Sequence, residues 1–221
     1  MKNPLVMRRP DSASAFTLLE LLVVIGIISI LLVAIIPAVN SLSKSSGRKA
    51  AVSNLLGAIE QARAQAIKDG QATYVVFPDV LPGSPDVATI QRYAYHSYAI
   101  FEDDTATPGA VKQLTPWRSL PTGVSVRSGS LNYLANTISF PFTPLGAAVT
   151  GTFPFLKFNS NGEVDPATTR NPANTTGTVQ LGVFEGYVNT TGTDIDTTRS
   201  TAGPQTDSIA VTRLTGRAER M

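Results

Sequence analysis

The 221 residues contain no cysteine, which excludes disulfide frameworks, thiol catalysis and thiolate metal sites. Histidine occurs once, at His96, so a histidine-rich metal site is excluded and any Ser-His-Asp triad would have to use that one residue. Charge is scarce: ionisable Asp, Glu, Lys and Arg make up 15% of the chain, against about a quarter in ordinary soluble domains. The net charge of +2 is too small a bias to argue for nucleic acid. No phosphate-binding glycine loop, nucleophile elbow or pair of catalytic carboxylates is present, so the chain reads as a structural protein and not as an enzyme. His96, within Tyr93-Ala94-Tyr95-His96-Ser97-Tyr98, reads as a satisfied strand residue.

Apolar residues are 43% of the chain, and much of the excess lies before Asn40. Residues 1–15 form a polar leader carrying Lys2, Arg8 and Arg9. Residues 16–39, from Phe16 to Val39, form an apolar run whose single ionisable side chain is Glu20. A helix of about 20 apolar residues spans the hydrocarbon core of a bilayer. Such a run can be a plain anchor, the core of a secretory signal peptide, or an assembly helix behind a cleaved leader. Glu20 separates the three. A carboxylate within lipid costs about 2.5–3.5 kcal/mol at mid-helix and less near an end, and neither an anchor nor a signal peptide has a use for it.

Ala15-Phe16-Thr17-Leu18-Leu19-Glu20, followed by Leu21-Leu22-Val23-Val24-Ile25, resembles the prepilin peptidase motif of type IV pilins and type II secretion pseudopilins. The resemblance implies cleavage between Ala15 and Phe16, N-methylation of Phe16, and a filament-assembly role for Glu20. It implies a helix kink at Pro37. The family almost always carries Gly before the cut, where this chain has Ala15. The implied partners are other pilin-like subunits, the prepilin peptidase and a membrane assembly platform. The implied location is the bacterial inner membrane, single-pass, with the C-terminal domain in the periplasm. Physical chemistry agrees with that expectation: the new α-amine at Phe16 would be positive, and Glu20 lies one helical turn away on the same face.

Residues 40–70 continue the helix. Val52, Leu55, Leu56, Ile59, Ala62, Ala66 and Ile67 recur at three- and four-residue steps, an apolar stripe on an amphipathic helix. Gly70 is placed to cap it. One long helix from Thr17 to Asp69 is therefore expected, loosened at Ser45-Ser46-Gly47. The segment Leu55 to Ile67, with its Ala-Arg-x-x-Ala-Ile pattern, resembles the minor pseudopilins of the H type and the related FimT-like minor pilins. Tyr98-Ala99-Ile100-Phe101-Glu102-Asp103-Asp104 and Asp207 to Arg217, with its Thr-Gly-Arg turn, resemble the same branch in the same order.

Residues 71–221 alternate with period two between turn residues. Strands are expected over 72–77, 92–101, 115–120, 124–127, 137–142, 153–159, 178–184 and 208–214. No helical stretch long enough for a parallel crossover follows any of them, so an antiparallel β domain of two sheets is expected. The fold class is α+β, a long N-terminal helix packed on an antiparallel β domain, pilin-like. Trp117, Phe140, Phe142, Phe155 and Phe158 are assigned to the core. Segments 78–89, 102–113, 165–177 and 189–207 read as loops.

No cofactor is implied. Calcium is weighed at two places, Asn159, Asn161, Glu163 and Asp165, and the pair Asp194 and Asp196. At the first, Asn161-Gly162 reads more simply as a hairpin turn. Arg213, Arg217 and Arg220 form a basic tail, and some FimT-like pilins bind DNA through such arginines. Here Glu219 interrupts the charge and no aromatic residue is at hand to stack on a base, so the alternative of DNA or surface-ligand binding is secondary.

Overall fold

The computed structural model describes residues 17–146, 148–166, 177–189, 191–197 and 206–221, with the backbone alone described over 32–45. The chain divides into two compact units, residues 1–43 and 44–221. Helix α1 runs Leu18–Asp69, as the periodicity predicts, and its assignment continues through Ser45-Ser46-Gly47. Pro37 lies within its span, but the side chain falls outside the described residues, as do Ala15 and Phe16.

In the unit 44–221, α1 buries Ala51, Val52, Leu55, Ala58, Ile59, Ala62 and Ala66, all at 3% exposure or less. Ser53, Asn54, Gly57 and Gln61 face outward. Leu56 is only half-buried and Ile67 is 48% exposed, so the buried stripe is narrower than expected and is filled out by alanine. Gly70, at φ 66°, ends the helix in the left-handed region that favours glycine.

Two five-stranded antiparallel sheets and a separate hairpin follow among the described residues. In the first sheet, β1 (Thr73–Val76) lies between β2 (Ser97–Asp103) and β8 (Phe155–Phe158), and β2 also pairs β3 (Val111–Gln113) and β4 (Arg118–Ser119). The register sets Val75 opposite Ile100 and Leu156, and all three join the α1 stripe in one core. Tyr74, opposite Phe101, and Val76, opposite Ala99 and Phe155, point to the other face. There a second core gathers Phe140, Phe142 and Phe153, with half-buried Trp117 against it. The hairpin of β6 (Ser139–Pro141) and β7 (Thr150–Thr152) contributes Phe140 to that core. Both faces of β1 are thus covered, which is why all four of its residues are buried.

The second sheet has the order β10 (Asp194–Asp196), β9 (Thr178–Val188), β11 (Thr206–Thr212), β12 (Ala218–Arg220), with β5 (Val124–Val126) also on β9. Leu181 opposite Ile209, and Val179 opposite Val211, turn inward to the α1 core.

Several strand boundaries differ from expectation. The segment 92–96 is not strand: α2 (Val87–Tyr93) occupies its start, with the Asp86 carboxylate capping Thr89 N at 3.2 Å. Tyr95 then sits at φ 59°, which no strand residue adopts, and β2 begins only at Ser97. The expected strand 115–120 shrinks to Arg118–Ser119 because the Thr115 hydroxyl accepts from Ile100 N at 2.9 Å, replacing a ladder bond. The pairing moves to β3, inside a segment read as loop. Likewise β10 lies in the expected 189–207 loop, and β12 in the basic tail. Helix α3 (Ser128–Leu131) and the 3-10 turn Thr143–Leu145 were not anticipated.

Two turns pack against the helix. Gly162 (φ 82°) and Gly216 (φ 63°) lie in left-handed conformations, and a Cβ on Gly216 would stand 2.1 Å from the Gly162 carbonyl oxygen and 2.9 Å from Arg63 Cδ. Gly216→Ala is therefore expected to destabilise the domain by about 1–3 kcal/mol, read as a lowered midpoint of thermal unfolding. An unchanged midpoint would show that the two turns can separate at no cost.

Candidate assembly site

The first described turn of α1 is closed by its own side chains. Glu20 N donates to Thr17 Oγ1 at 3.2 Å, while Thr17 N and Thr17 Oγ1 donate to Glu20 Oε2 at 3.1 and 3.0 Å. This reciprocal pattern is a capping box, in which a threonine at the N-cap and a glutamate three residues on satisfy donors that the first turn leaves open. The signature Thr17-x-x-Glu20 is contiguous in the sequence and lies inside the longer leader motif. The box holds the carboxylate at the helix N-terminus, where the peptide dipoles favour negative charge.

Beyond the box, every described side chain from Leu18 to Leu31 is exposed, from Leu18 at 87% to Val24 at 48%. Ser29 returns its hydroxyl to Ile25 O at 2.8 Å and so adds no free polar group to this surface. Among the described residues of its unit, nothing covers this apolar rod with one acid at its tip. Among the described residues no helix is long and apolar enough to cross a membrane; the apolar run of the sequence continues to Val39, where side chains are not described.

Within the unit 44–221, sequence reasoning missed an ion network at the near end of the amphipathic half-helix. Arg48 Nε contacts Asp207 Oδ2 at 2.6 Å and its NH1 contacts Glu185 Oε1 at 3.0 Å. Arg220 NH2 reaches Asp207 Oδ1 at 2.7 Å. Burial works to raise the Asp207 carboxyl, but hydrogen bonds and charge from Arg48 and Arg220 outweigh it and hold the group below its ordinary value. Arg220 is thereby committed to structure, at the edge of the second sheet. Arg213 is half-buried, with its backbone bonded to Gly177 and Val164, and Arg217 is exposed.

Several of the residues weighed for calcium have other partners. Asn159 and Gly162 close a turn, with Gly162 N donating to Asn159 O at 2.8 Å, so the hairpin reading of Asn161-Gly162 describes the local structure. Asn161 Oδ1 accepts from Glu163 N at 3.1 Å, and Asp165 pairs with Lys157 at 2.9 Å. Asp194 and Asp196 both face Arg127, at 3.2 and 3.7 Å, and the Arg127 guanidinium lies 4.6 Å above the Phe184 ring. Among the described residues no group of three or more His, Asp or Glu could hold a metal ion.

His96 sits in the turn before β2 and not within the strand, with its Nδ1 2.8 Å from the Val124 carbonyl. Burial pushes its proton affinity down, partly offset by that carbonyl.

Comparison with known proteins bears on this arrangement. The family model described as type II transport protein GspH matches residues 51–200. This chain belongs to the GspH family. The model of the prokaryotic N-terminal methylation motif matches residues 11–36, the region of the leader junction and the capping box. With both, the GspH-family chain is a minor pseudopilin, a structural subunit of a pilin-like filament, and filament assembly with other pilin-like subunits follows from the family. Two crystal structures of the type IV minor pilin FimU from Pseudomonas aeruginosa (strain PAO1) align over 81% and 78% of this chain and 92% and 91% of theirs, at 12% identity and TM-scores of 0.43 and 0.38. No curated protein matches this chain in sequence.

The Arg48 network supplies a stability test. Glu185 is 4% exposed, so Arg48→Ala would leave a buried carboxylate without its cation, at a cost of about 3–5 kcal/mol. The double change Arg48→Met with Glu185→Leu is expected to recover most of that loss in thermal unfolding. Equal losses from the single and double variants would mean that Arg48 acts through packing alone.

Proposed function

We propose that this minor pseudopilin is cut between Ala15 and Phe16 by a prepilin peptidase, methylated on the new Phe16 amine, and inserted as a single-pass subunit of the inner membrane. Residues 16–39 span the bilayer and residues 71–221 lie in the periplasm. The basic leader with Lys2, Arg8 and Arg9 supports that orientation, because cytoplasmic flanks carry the positive excess. From the membrane the subunit enters a type II secretion pseudopilus through its assembly platform.

The observation that carries the reading is the isolated acid at the tip of an exposed apolar rod. Glu20 is held by Thr17 in the free chain. In lipid a carboxylate gains most from a cation brought close, and the N-terminal amine of a neighbouring subunit is such a cation. Exchange of the Thr17 contacts for that amine would set the axial register between subunits. Pro37 would let the spanning half of the helix bend relative to its continuation.

Mass spectrometry of the mature protein is expected to give N-methyl-Phe16 as the first residue. An intact Met1, or a cut near Ala38, would remove the processing step and with it the amine on which the pairing depends. Glu20→Ala is expected to leave membrane insertion unchanged and to abolish incorporation into filaments, measured by co-purification of the full chain with other pilin-like subunits from cross-linked cells. Glu20→Ala incorporated at the wild-type level would refute the role given to the carboxylate.

A further inference from the structure

The unit 44–221 carries a cleft of about 1060 Å³ that the assembly role does not use. One wall comes from the segment 79–94, a loop followed by α2. The other comes from the end of β9 and the turn after it, residues 186–192. Tyr95 belongs to the lining and reaches both walls. Its phenol oxygen stands 3.8 Å from the position a Cβ would take on Gly192.

Among the described residues Tyr95 is the one residue other than glycine with a positive φ. Its backbone is tied on both sides: its N–H donates to Pro78 O at 2.7 Å, and its carbonyl accepts from Val126 N at 2.9 Å. Such a conformation costs about 1–3 kcal/mol and persists only where the surrounding structure fixes it. The half-buried side chain gains no internal hydrogen bond in return, because among the described residues its hydroxyl has no partner. Burial, then the charges of Asp79 and Asp194, raise the proton affinity of the phenol, so it remains a donor at neutral pH.

The rest of the lining has the same mixed character. Tyr187 is 49% exposed, and its hydroxyl is also without a partner among the described residues. The amides of Gln91 and Asn132 are exposed and make no side-chain hydrogen bond among those residues. Val80 and Val87 add exposed apolar surface beside them. No lysine or arginine lines the cleft, and Asp79, which accepts from Val80 N at 2.7 Å, is its one acidic residue. Burial holds His96 toward its neutral form. An anionic ligand would therefore meet no cation, and a wholly apolar ligand would leave phenols and amides without hydrogen bonds. An uncharged ligand with apolar C–H faces and a fringe of hydroxyls satisfies both conditions. The volume lies at the upper end for small-molecule sites and accommodates roughly two or three sugar rings.

We propose that this cleft binds a neutral oligosaccharide, with the Tyr187 ring against a sugar face and Tyr95 Oη, Gln91 and Asn132 hydrogen-bonded to its hydroxyls. Binding there is independent of leader processing and of Glu20.

The test uses the full chain in micelles of a detergent without a sugar headgroup. Maltotriose, cellotriose and triacetylchitotriose are titrated by calorimetry and by saturation-transfer NMR. At least one is expected to bind with a dissociation constant of roughly 0.1–1 mM. Tyr187→Ala is expected to weaken that binding about tenfold. Tyr95→Phe, which keeps the ring and removes the hydroxyl, should weaken it about threefold to tenfold and leave the midpoint of thermal unfolding unchanged. Tyr133→Ala, at an exposed tyrosine outside the lining, should bind as wild type. Absence of binding by all three sugars at about 10 mM would overturn the proposal, and this result needs no folded variant. So would sugar binding that both Tyr187→Ala and Tyr95→Phe leave at the wild-type level. Binding of a triarginine peptide or of inorganic phosphate in place of the sugars would overturn it as well.

Discussion

The apolar stripe of α1 from Val52 to Ala66 is the surface on which both sheets close. Val75, Ile100 and Leu156 reach it from one sheet, and Leu181, Ile209 and Val211 from the other. Each large aliphatic side chain buried there is worth about 1.5–3 kcal/mol relative to exposure, and a helix stripe buries nothing until a sheet lies over it. The alanines at 58, 62 and 66 are as important as the larger residues, since they let the strands approach the helix backbone. The Gly162 and Gly216 turns carry the same demand for close approach to the end of the domain.

A second core on the far face of the first sheet has a different composition. It is aromatic, with Tyr74, Phe101, Phe140, Phe142, Phe153 and Phe155 in edge-on and tilted contacts at centroid separations of 5.1 to 5.7 Å. Such contacts add about 0.5–1.5 kcal/mol each beyond burial. This core covers the second face of β1, so all four of its residues are buried, Thr73 among them with its hydroxyl donating to Ala62 O. Ion pairs lie at the rim of the second sheet: Arg48 joins α1 to β9 and β11, and Arg127, between β5 and α3, reaches β10.

The chain divides its apolar surface between two physical settings. In residues 44–221 the stripe of the helix is covered by the chain's own sheets. In the described part of residues 1–43 the apolar side chains find no cover from their own unit, and the single acid is held in a local capping box. A structural subunit of a filament needs both, a domain that is complete by itself and a segment that is complete only among other molecules. Membership in the GspH family accords with that division.

The long helix, its amphipathic second half and the antiparallel class of the domain were legible in the sequence because each rests on a periodicity of neighbouring residues. So was the leader motif, whose residues are contiguous. Strand limits were less legible: Thr115 ends its pairing through a side-chain bond to Ile100, and Tyr95 breaks the Tyr-rich segment by its backbone conformation, and neither event has a local signature. The capping box could have been read from Thr17 and Glu20 alone. The pairing of Arg48 with Glu185 and Asp207, and of Arg220 with Asp207, could not. Sequence by itself determined the long helix, the apolar stripe of its second half and the antiparallel class of the domain, since those depend on the order of side chains along one chain. Only the tertiary structure decided which charges are neutralised, because burial and partner distance exist only after residues far apart in sequence have been brought together.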